Sequence, residues 1–356
     1  MTSTIGVKKI QHTNGTQVMT FDTAGKISSD VSSTGNITTT GTVNTASING
    51  GQIGGRRNII INGAFQHWQR GTSFSSNVFG ADRWKFYAPG SHAYTRSTDT
   101  PDSPNNFQFS ASAGGSGDAT GLTQFVESAN AQPLPSSGSD KVILSFYLKH
   151  TTNSGTAKIT SSVGTMDSAD NSGATTTRST QNHNTTTGWA RYTHEMTGAD
   201  LTTAVTNGLV VTIKHNGSGA TLFLITGIQL EISSQVTPFE NRSVGEELSL
   251  CQRYFHKQGG TAYYNIAVCV NYTSGAMLGT VRHPVQMRAA PSVTKSGTWA
   301  VLGGDTTVNQ TAVSSDSGPQ ASEIGFSGGS GGTSGRSCVL RFSNDANAYL
   351  WWDAEL

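Results

Sequence analysis

The chain has 356 residues, of which 42 are glycine, only 13% are charged and 34% are hydrophobic. A formal net charge of +1 with no lysine and arginine cluster excludes an electrostatic case for nucleic acid, since non-specific duplex binding depends on clustered cations that release counterions. No basic segment leads into an apolar core of signal-peptide length and no run is long enough to span a bilayer, which points to folding in the cytoplasm where the chain is made, without membrane insertion.

Serine, threonine, asparagine and glycine fill the rest of the sequence, a profile that suits an all-β protein: β-branched residues pack on pleated surfaces and the small polar residues supply turns. The length allows two or three domains of about 100–200 residues each. The hydrophobic fraction is low for a self-sufficient monomer, and burial shared between subunits would offset it. In residues 1–56, Val31, Ile37 and Val43 recur every six residues, with Gly35 and Gly41 on the same step and Ile48 and Ile53 continuing it every five. This segment buries too few apolar groups to fold alone. Wound together in a homotrimer it would bury that column and serve as a shaft or docking segment; the alternative is a flexible linker.

Residues 57–243 read as one β-sandwich of the jelly-roll type seen in galactose-binding-like and carbohydrate-binding modules. Val142, Leu144, Phe146 and Leu148 alternate with polar neighbours, as do Leu209, Val211 and Ile213. The run from Leu222 to Ile232 carries apolar residues in both parities, which predicts a strand buried on both faces near its middle. Glycine, serine and asparagine clusters at 114–118, 153–155 and 171–174 mark turns. Residues 244–257 read as the one short helix, with Glu246 and Glu247 in its first turn, Arg253, His256 and Lys257 in its last, and Leu248, Cys251 and Phe255 on one face. Residues 258–356 return to β as a small distal domain, with strands predicted at 263–272, 276–282, 337–342 and 348–356, and a less defined region around Trp299.

Candidate chemistry is sparse. Gly325–Gly329 fits G-x-S-x-G, but that motif needs a strand before and a helix after, and this one lies in a glycine and serine tract that reads as a loop. Glu246 and Glu247 are adjacent and cannot face each other as an acid/base pair. The nine histidines show no H-x-x-x-H spacing. Asp167–Gly173 lacks the alternate oxygens and distal glutamate of a calcium loop. No catalytic residue is assigned. Asp82, Arg83 and Trp84 read as a core anchor, and Trp68 beside Arg70 likewise. Cys251, Cys269 and Cys338 show no C-x-x-C spacing and read as reduced core residues. In the last strand, alternation places Leu350, Trp352, Ala354 and Leu356 on one face and Tyr349, Trp351, Asp353 and Glu355 on the other. An aromatic and carboxylate face suits sugar binding, where a ring stacks on a pyranose and acids accept from hydroxyls; it suits a subunit interface equally.

One stretch has a more specific order. Gln229–Phe255 reads Q-L-E-I-S-S-Q-V-T-P-F-E-N-R-S-V-G-E-E-L-S-L-C-Q-R-Y-F, and Asn58–Gly71 reads N-I-I-I-N-G-A-F-Q-H-W-Q-R-G, followed by A-D-R-W at Ala81–Trp84. M-R-A-A-P-S-V at Met287–Val293, D-A-E-L at Asp353–Leu356, and K-K-I-Q-H-T-N-G-T with T-F-D-T-A-G-K-I within residues 8–27 complete the set. This order resembles bacteriophage tail-fibre and virion-surface proteins, the start being similar to those of marine phage fibres, while residues 89–222 match in style only.

The resemblance implies a virion fibre protein, homotrimeric and non-enzymatic, attached to other virion proteins through its N-terminal segment and meeting host-surface glycans with its distal domains. A head fibre or capsid decoration protein without a receptor role is the alternative. A capsule depolymerase fits less well, since such enzymes usually need a long β-helix with paired carboxylates. No cofactor is implied beyond a structural calcium, which jelly-roll carbohydrate modules often hold between the N-G-x-F region and a last-strand carboxylate, here Asn62 and Glu231. Gln66 stands where the family usually has an acid, which weakens that site.

Overall fold

A computed structural model of the chain describes residues 9–11, 17–20, 56–75, 77–87, 92–102, 107–116, 120–217, 219–302, 312–327 and 332–356. The chain divides into two compact units, Met1–Ala46 and Ser47–Leu356. In the first, β1 (Lys9–Gln11) and β2 (Gln17–Thr20) pair antiparallel. The column of Val31, Ile37 and Val43 lies outside the described residues.

The second unit opens with a jelly roll. Its strands are β3 (Ser73–Phe74), β4 (Val78–Phe79), β5 (Lys85–Tyr87), β6 (His92–Ser97), β7 (Ser110–Ser116), β8 (Gly121–Val126), β9 (Lys141–Thr152), β10 (Gly155–Met166), β11 (Thr175–Thr185), β12 (Ala190–Thr197), β13 (Leu209–His215) and β14 (Ala220–Ile232). They form two six-stranded antiparallel sheets, ordered β11-β10-β13-β8-β5-β4 and β12-β9-β14-β7-β6-β3. From β7 onward the chain crosses between the sheets at every step except the β10–β11 hairpin, so each inner face is built by residues of alternate parity. Phe86, Tyr94, Leu122, Leu144, Phe146, Leu148, Val211, Ile213, Phe223 and Ile225 meet in that core. Strand β14 is buried on both faces through its middle, as its two apolar parities predict.

The polar edge of β14 explains the N-I-I-I-N-G motif. At a register shift between Thr226 and Gln229, Gly227 takes φ +61° and the pairing to β9 lapses. Residues 58–63 fill the gap: the amide of Ile59 donates to the carbonyl of Leu230, and that of Ile228 donates to the carbonyl of Gly63. Asn58 clamps both sides, its Oδ1 accepting from the amides of Ile60 and Leu230 and its Nδ2 donating to the Ile228 carbonyl. A Cβ at position 63 would lie 2.1 Å from the carbonyl oxygen of Ile228, so only glycine permits this approach.

The helix is shorter than its sequence pattern. It spans Val244–Gln252, capped by Ser243, whose hydroxyl accepts from the Glu246 amide, and Arg253 stands at its C-terminal cap. Phe255–Lys257, expected as its last turn, instead belongs to strand β15 (Phe255–Gly259), which pairs along its length with the C-terminal strand β23 (Tyr349–Asp353). Long-range pairing thus overrides local helix propensity. It is also not the only helical segment: single turns occur at Ser128–Ala131, Gly198–Leu201 and Ala204–Asn207.

The remaining strands are β16 (Asn265–Thr273), β17 (Ala276–Arg282), β18 (Ser292–Ser296), β19 (Trp299–Leu302), β20 (Ala312–Ser317), β21 (Ala321–Ser327) and β22 (Ser337–Phe342). Two sheets, β15-β23-β18 and β19-β22-β16-β17-β21-β20, close over Trp299, Phe326, Phe342, Leu350 and Trp352 to make the small distal sandwich. Gly325 to Ser327 of the G-x-S-x-G match end β21 rather than lying in a loop, and the described residues that follow, 332–336, form a turn. All three cysteines are free and buried. Burial raises each thiol above its ordinary range, Cys269 to about 12 with help from its cross-strand neighbour Cys338.

Buried histidines set a pH limit on this fold. Burial, and for three of them a neighbouring histidine, pushes His150, His183 and His194 down to about 4 and His256 to about 3; the exception is His194, where Asp200 pulls the other way. Unfolded, each titrates near about 6.5. The unfolded chain therefore binds more protons as pH falls below about 6.5, so the stability these groups confer is complete above that pH and declines toward about 4. Urea midpoints measured from pH 7.5 to 5 are expected to fall steadily, with a shallower slope in His256→Gln; a flat profile would contradict the assignment of these histidines as neutral core groups.

Candidate functional site

The predicted alternation of the last strand is present, and the structure shows what its outer face meets. In β23, Leu350, Trp352 and Ala354 point into the distal core, while Tyr349, Trp351 and Asp353 are half-buried on the opposite face. Directly opposed residues of an antiparallel pair share a face. Lys257 and Thr294 flank Trp351 on β15 and β18, Phe255 and Ser292 flank Asp353, and Gly259 and Ser296 flank Tyr349. The result is a platform with an aromatic centre, a lysine on one side and a row of hydroxyls on the other.

Opposite this platform stands the start of the jelly roll. Arg70, Phe74, Val78 and Phe79 close a cleft of ≈ 260 Å³ with Phe255, Lys257, Trp351 and Asp353. That volume is near the lower end for small-molecule sites, and the combination of apolar walls with a few fixed charges is their usual make-up. A larger but shallower groove of ≈ 390 Å³ runs over the outer surface of the sheet carrying β8 and β13, lined by polar residues with Phe125 and Val210. Phe125 is buried there, so that groove has no exposed ring to act as a platform.

The wall charges are held by a compact ion network. Arg70 contacts Asp353 at 3.0 Å and Glu355 at 3.3 Å, with its guanidinium carbon 3.6 Å from the Phe255 ring centroid. The second oxygen of Asp353 accepts from the Glu355 amide. Glu355 also pairs with Arg83, whose guanidinium stacks 3.4 Å over the Tyr254 ring and donates to the carbonyl of Phe125. Glu355 therefore does not belong to the sugar-facing set expected from alternation. Its side chain is only 4% exposed, because the strand end turns into the seam between the two sandwiches and an acid there is needed to neutralise two arginines.

The core anchor read from the sequence, a tryptophan expected to be flanked by an ion pair of Asp82 and Arg83, is present with one correction. Trp84 is fully buried and its indole donates to the carbonyl of Asn62, but Asp82 and Arg83 do not pair with each other. Asp82 accepts from the amide and side chain of Gln69, and burial raises its carboxyl above the usual range. Trp68 is likewise buried, its indole donating to the carbonyl of Phe65, and Arg70 beside it reaches out to the cleft.

Asn62 and Glu231, the expected calcium pair, serve two separate hydrogen-bond networks. Asn62 adopts φ 55° and spends its side chain on the turn, donating to the carbonyls of His67 and Asp82 and accepting from the His67 amide. Glu231 accepts from the amide and hydroxyl of Thr237 and lies 3.5 Å from Arg57. A carboxylate already neutralised in this way is a poor calcium ligand. Among the described residues no group of three or more histidines, cysteines, aspartates or glutamates could hold a metal ion, and no helix is long and apolar enough to cross a membrane.

Six cleft residues lie outside the site read from sequence: Arg70, Phe74, Val78, Phe79, Phe255 and Lys257. Phe255 and Lys257 were placed on the helix, where they would have faced elsewhere, and Arg70 and Phe79 come from a region remote in sequence. The available signal was scarcity. In a chain with 13% charged residues, a tryptophan, an aspartate and a glutamate in one short strand require cationic partners from somewhere.

No protein-family model matches the chain, and no curated protein matches it in sequence. Solved structures overlap about half of it. The CBM22-1 xylan-binding domain from Paenibacillus barcinonensis is 13% identical over 46% of this chain and 94% of its own length, with a TM-score of 0.31. The C-terminal family 22 carbohydrate binding module of Clostridium thermocellum Xyn10B is 10% identical over 49% of this chain and all of its own, at 0.32. The enzymatically active domain of bacteriophage CBA120 tailspike protein 4 is 14% identical over 49% of this chain, at 0.31, and the overlap takes in only 21% of that domain. None is close enough in sequence or superposition to carry a residue across.

The ion network makes a sharp stability prediction. Arg83→Ala strands Glu355 in the seam with a single partner and is expected to cost about 3–5 kcal/mol, read as a fall in the urea midpoint. The double variant Arg83→Met with Glu355→Gln, which removes both charges, should recover a large part of that loss.

Proposed function

We propose that this chain is a non-enzymatic fibre protein of a bacteriophage virion, and that the cleft over Trp351 binds a glycan of the host surface. The cleft carries the glycan reading: a half-exposed indole at the centre of a sheet, hydroxyls of Ser292 and Thr294 in the flanking strand, and charges held rigid by packing. A ring of that kind stacks on the C–H face of a pyranose, while the rim polar groups set its orientation. The virion role is supported by the order of sequence segments that resembles phage fibres, from residues 8–27 to Asp353–Leu356. The segments around Asn58 and from Gln229 to Phe255 also share a structural purpose. Glu240 accepts from the amides of Arg57 and Asn58, Arg242 binds the carbonyls of Asn58 and Ile60 and the carboxylate of Glu247, and Arg253 pairs with Glu127, so T-P-F-E, R, G-E-E-L and C-Q-R-Y lock the junction that frames the cleft.

In this reading residues 1–56 dock to other virion proteins, the protein acts on the particle surface, and three copies associate. An exposed apolar row on the distal sheet favours association: Val268 is 73% exposed and Tyr272 66%, and Val270 and Leu302 also face outward. The register aligns Leu302, Val339 and Val268 across three adjacent strands. An apolar sheet face of this kind is the sort of surface that marks a protein interface. Native mass measurement at micromolar concentration is expected to give a trimer, and a stable monomer would overturn that part of the proposal.

Trp351 and Trp352 give the test of the glycan site. Trp351→Ala is expected to abolish adsorption to host cells while leaving the oligomer and its thermal midpoint intact. Trp352→Ala, which empties a fully buried site against His256, should instead cost about 3–5 kcal/mol of stability. If Trp351→Ala dissociates the oligomer, the platform is a subunit contact. A capsid decoration protein without receptor role would retain its phenotype in the first variant.

A further inference from the structure

Among the described residues, Lys257 is the charge in the cleft that no carboxylate neutralises. The other cations are matched: Arg70 and Arg83 face Asp353 and Glu355, two arginines against two carboxylates. Among the described residues no carboxylate lies within ion-pair distance of the Lys257 ammonium. Its contacts are aromatic, 3.4 Å from the Tyr349 ring centroid and 5.9 Å from that of Trp351. Cation–π contact holds the ammonium in place over the platform without cancelling its charge. Burial also draws its pKa below the ordinary lysine value, the mark of an ammonium that has lost water and gained no counter-ion.

The position of this charge is fixed on every side. Lys257 is the direct cross-strand neighbour of Trp351, in the middle of β15, and strand pairing to β23 on either side prevents it from sliding. The ammonium lies over the Tyr349 ring with the Trp351 indole beside it, so an anion paired with it lies next to a ring stacked on the indole. The carboxylates of Asp353 and Glu355 do not repel such an anion strongly, because both are already engaged by arginine. A neutral ring resting on Trp351 would leave the ammonium uncompensated; a ring with an anionic substituent would relieve it.

Resting on the glycan reading of this cleft, we infer that its ligand is an acidic sugar, a pyranose whose carboxylate pairs with Lys257 while its C–H face lies on Trp351. Attraction and stacking then act on one ring, which is what a cleft of ≈ 260 Å³ has room for. Lys257 discriminates between acidic and neutral sugars, and Trp351 supplies the affinity common to both.

The experiment is titration calorimetry on the full chain with uronate-containing oligosaccharides and with the same oligosaccharides after their carboxyl groups have been reduced to alcohols. The wild type should bind the acidic form roughly tenfold or more tightly than its reduced counterpart, equivalent to about 1.4 kcal/mol. That preference should shrink as salt is raised from about 0.05 to 0.5 M. Lys257→Gln should bring the two forms to equal affinity at the level of the neutral ligand, and Lys257→Arg should restore the preference. Trp351→Ala should lose both ligands. Equal affinity of the wild type for both forms, still lost in Trp351→Ala, overturns the acidic-sugar inference and leaves the glycan site standing. Absence of binding by either form overturns both. A thermal midpoint within a few degrees of wild type in Lys257→Gln confirms that altered binding is not altered folding.

Discussion

The buried guanidinium of Arg83 is the point on which the two sandwiches depend. It is 1% exposed, lies against the Tyr254 ring, pairs with Glu355 and donates to the Phe125 carbonyl, so a single side chain touches the jelly roll, the segment after the helix and the C-terminal strand. Its backbone sits at φ 72°, a region that costs a branched-chain or long residue about 1–3 kcal/mol. That conformation persists because the turn from Ala81 to Trp84 is closed by the Trp84 amide donating to the Ala81 carbonyl, and because Trp84 is locked in the core. A charge buried this deeply is tolerated only with its partners in place, which makes the seam an all-or-none arrangement.

From that seam follow both the orientation of the C-terminal strand and the shape of the cleft. Glu355 anchors the end of β23, the Asp353 carboxylate then reaches Arg70, and Arg70 rests on Phe255 from the neighbouring strand. The helix Val244–Gln252 reinforces the same junction from the other side, with Glu247 accepting from the Asn62 amide and Arg242 bridging Glu247 to the backbone of residues 58 and 60. The stretch from Gln229 to Phe255 and its partner around Asn58–Asn62 are, in physical terms, a set of charged hydrogen bonds at the junction of the two β-domains. Their chemistry explains why arginine and glutamate are concentrated there in a chain with so few charges.

The cleft is a by-product of that docking. Neither sandwich contains it alone, since its walls come from residues 70–79 and from the outer face of β15 and β23. Polar networks satisfied within the protein give the walls rigidity, and the groups left over, the Trp351 face and the Lys257 ammonium, are the ones available to a ligand. Elsewhere in the core two histidines spend both ring nitrogens on hydroxyls: His194 bridges Ser161 and Ser179, and His150 bridges Thr185 and Thr221.

By itself the sequence determined what depends on local period and local chemistry. Strand alternation identified β9, β13 and β23, because side chains in a strand change face at every residue and one face must be apolar. It separated Trp351 from Trp352 for the same reason, and placed Trp84 in the core. What it did not determine was any feature set by partners far along the chain. Phe255 to Lys257 continue a helical pattern, yet nearly a hundred residues later β23 offers the stretch from Phe255 to Gly259 a full ladder of backbone hydrogen bonds, a gain that outweighs the few tenths of a kcal/mol per residue of helix propensity. Alternation put Glu355 on the open face with Asp353, and only the packing of two domains could show that Arg83 closes over it. Asn62 and Glu231 matched a pattern in one dimension; in three they are consumed by a turn and by Thr237. Periodicity is a property of neighbouring residues, whereas burial of a charge, the exposure of a ring and the walls of a cleft are properties of which surfaces the whole chain brings together.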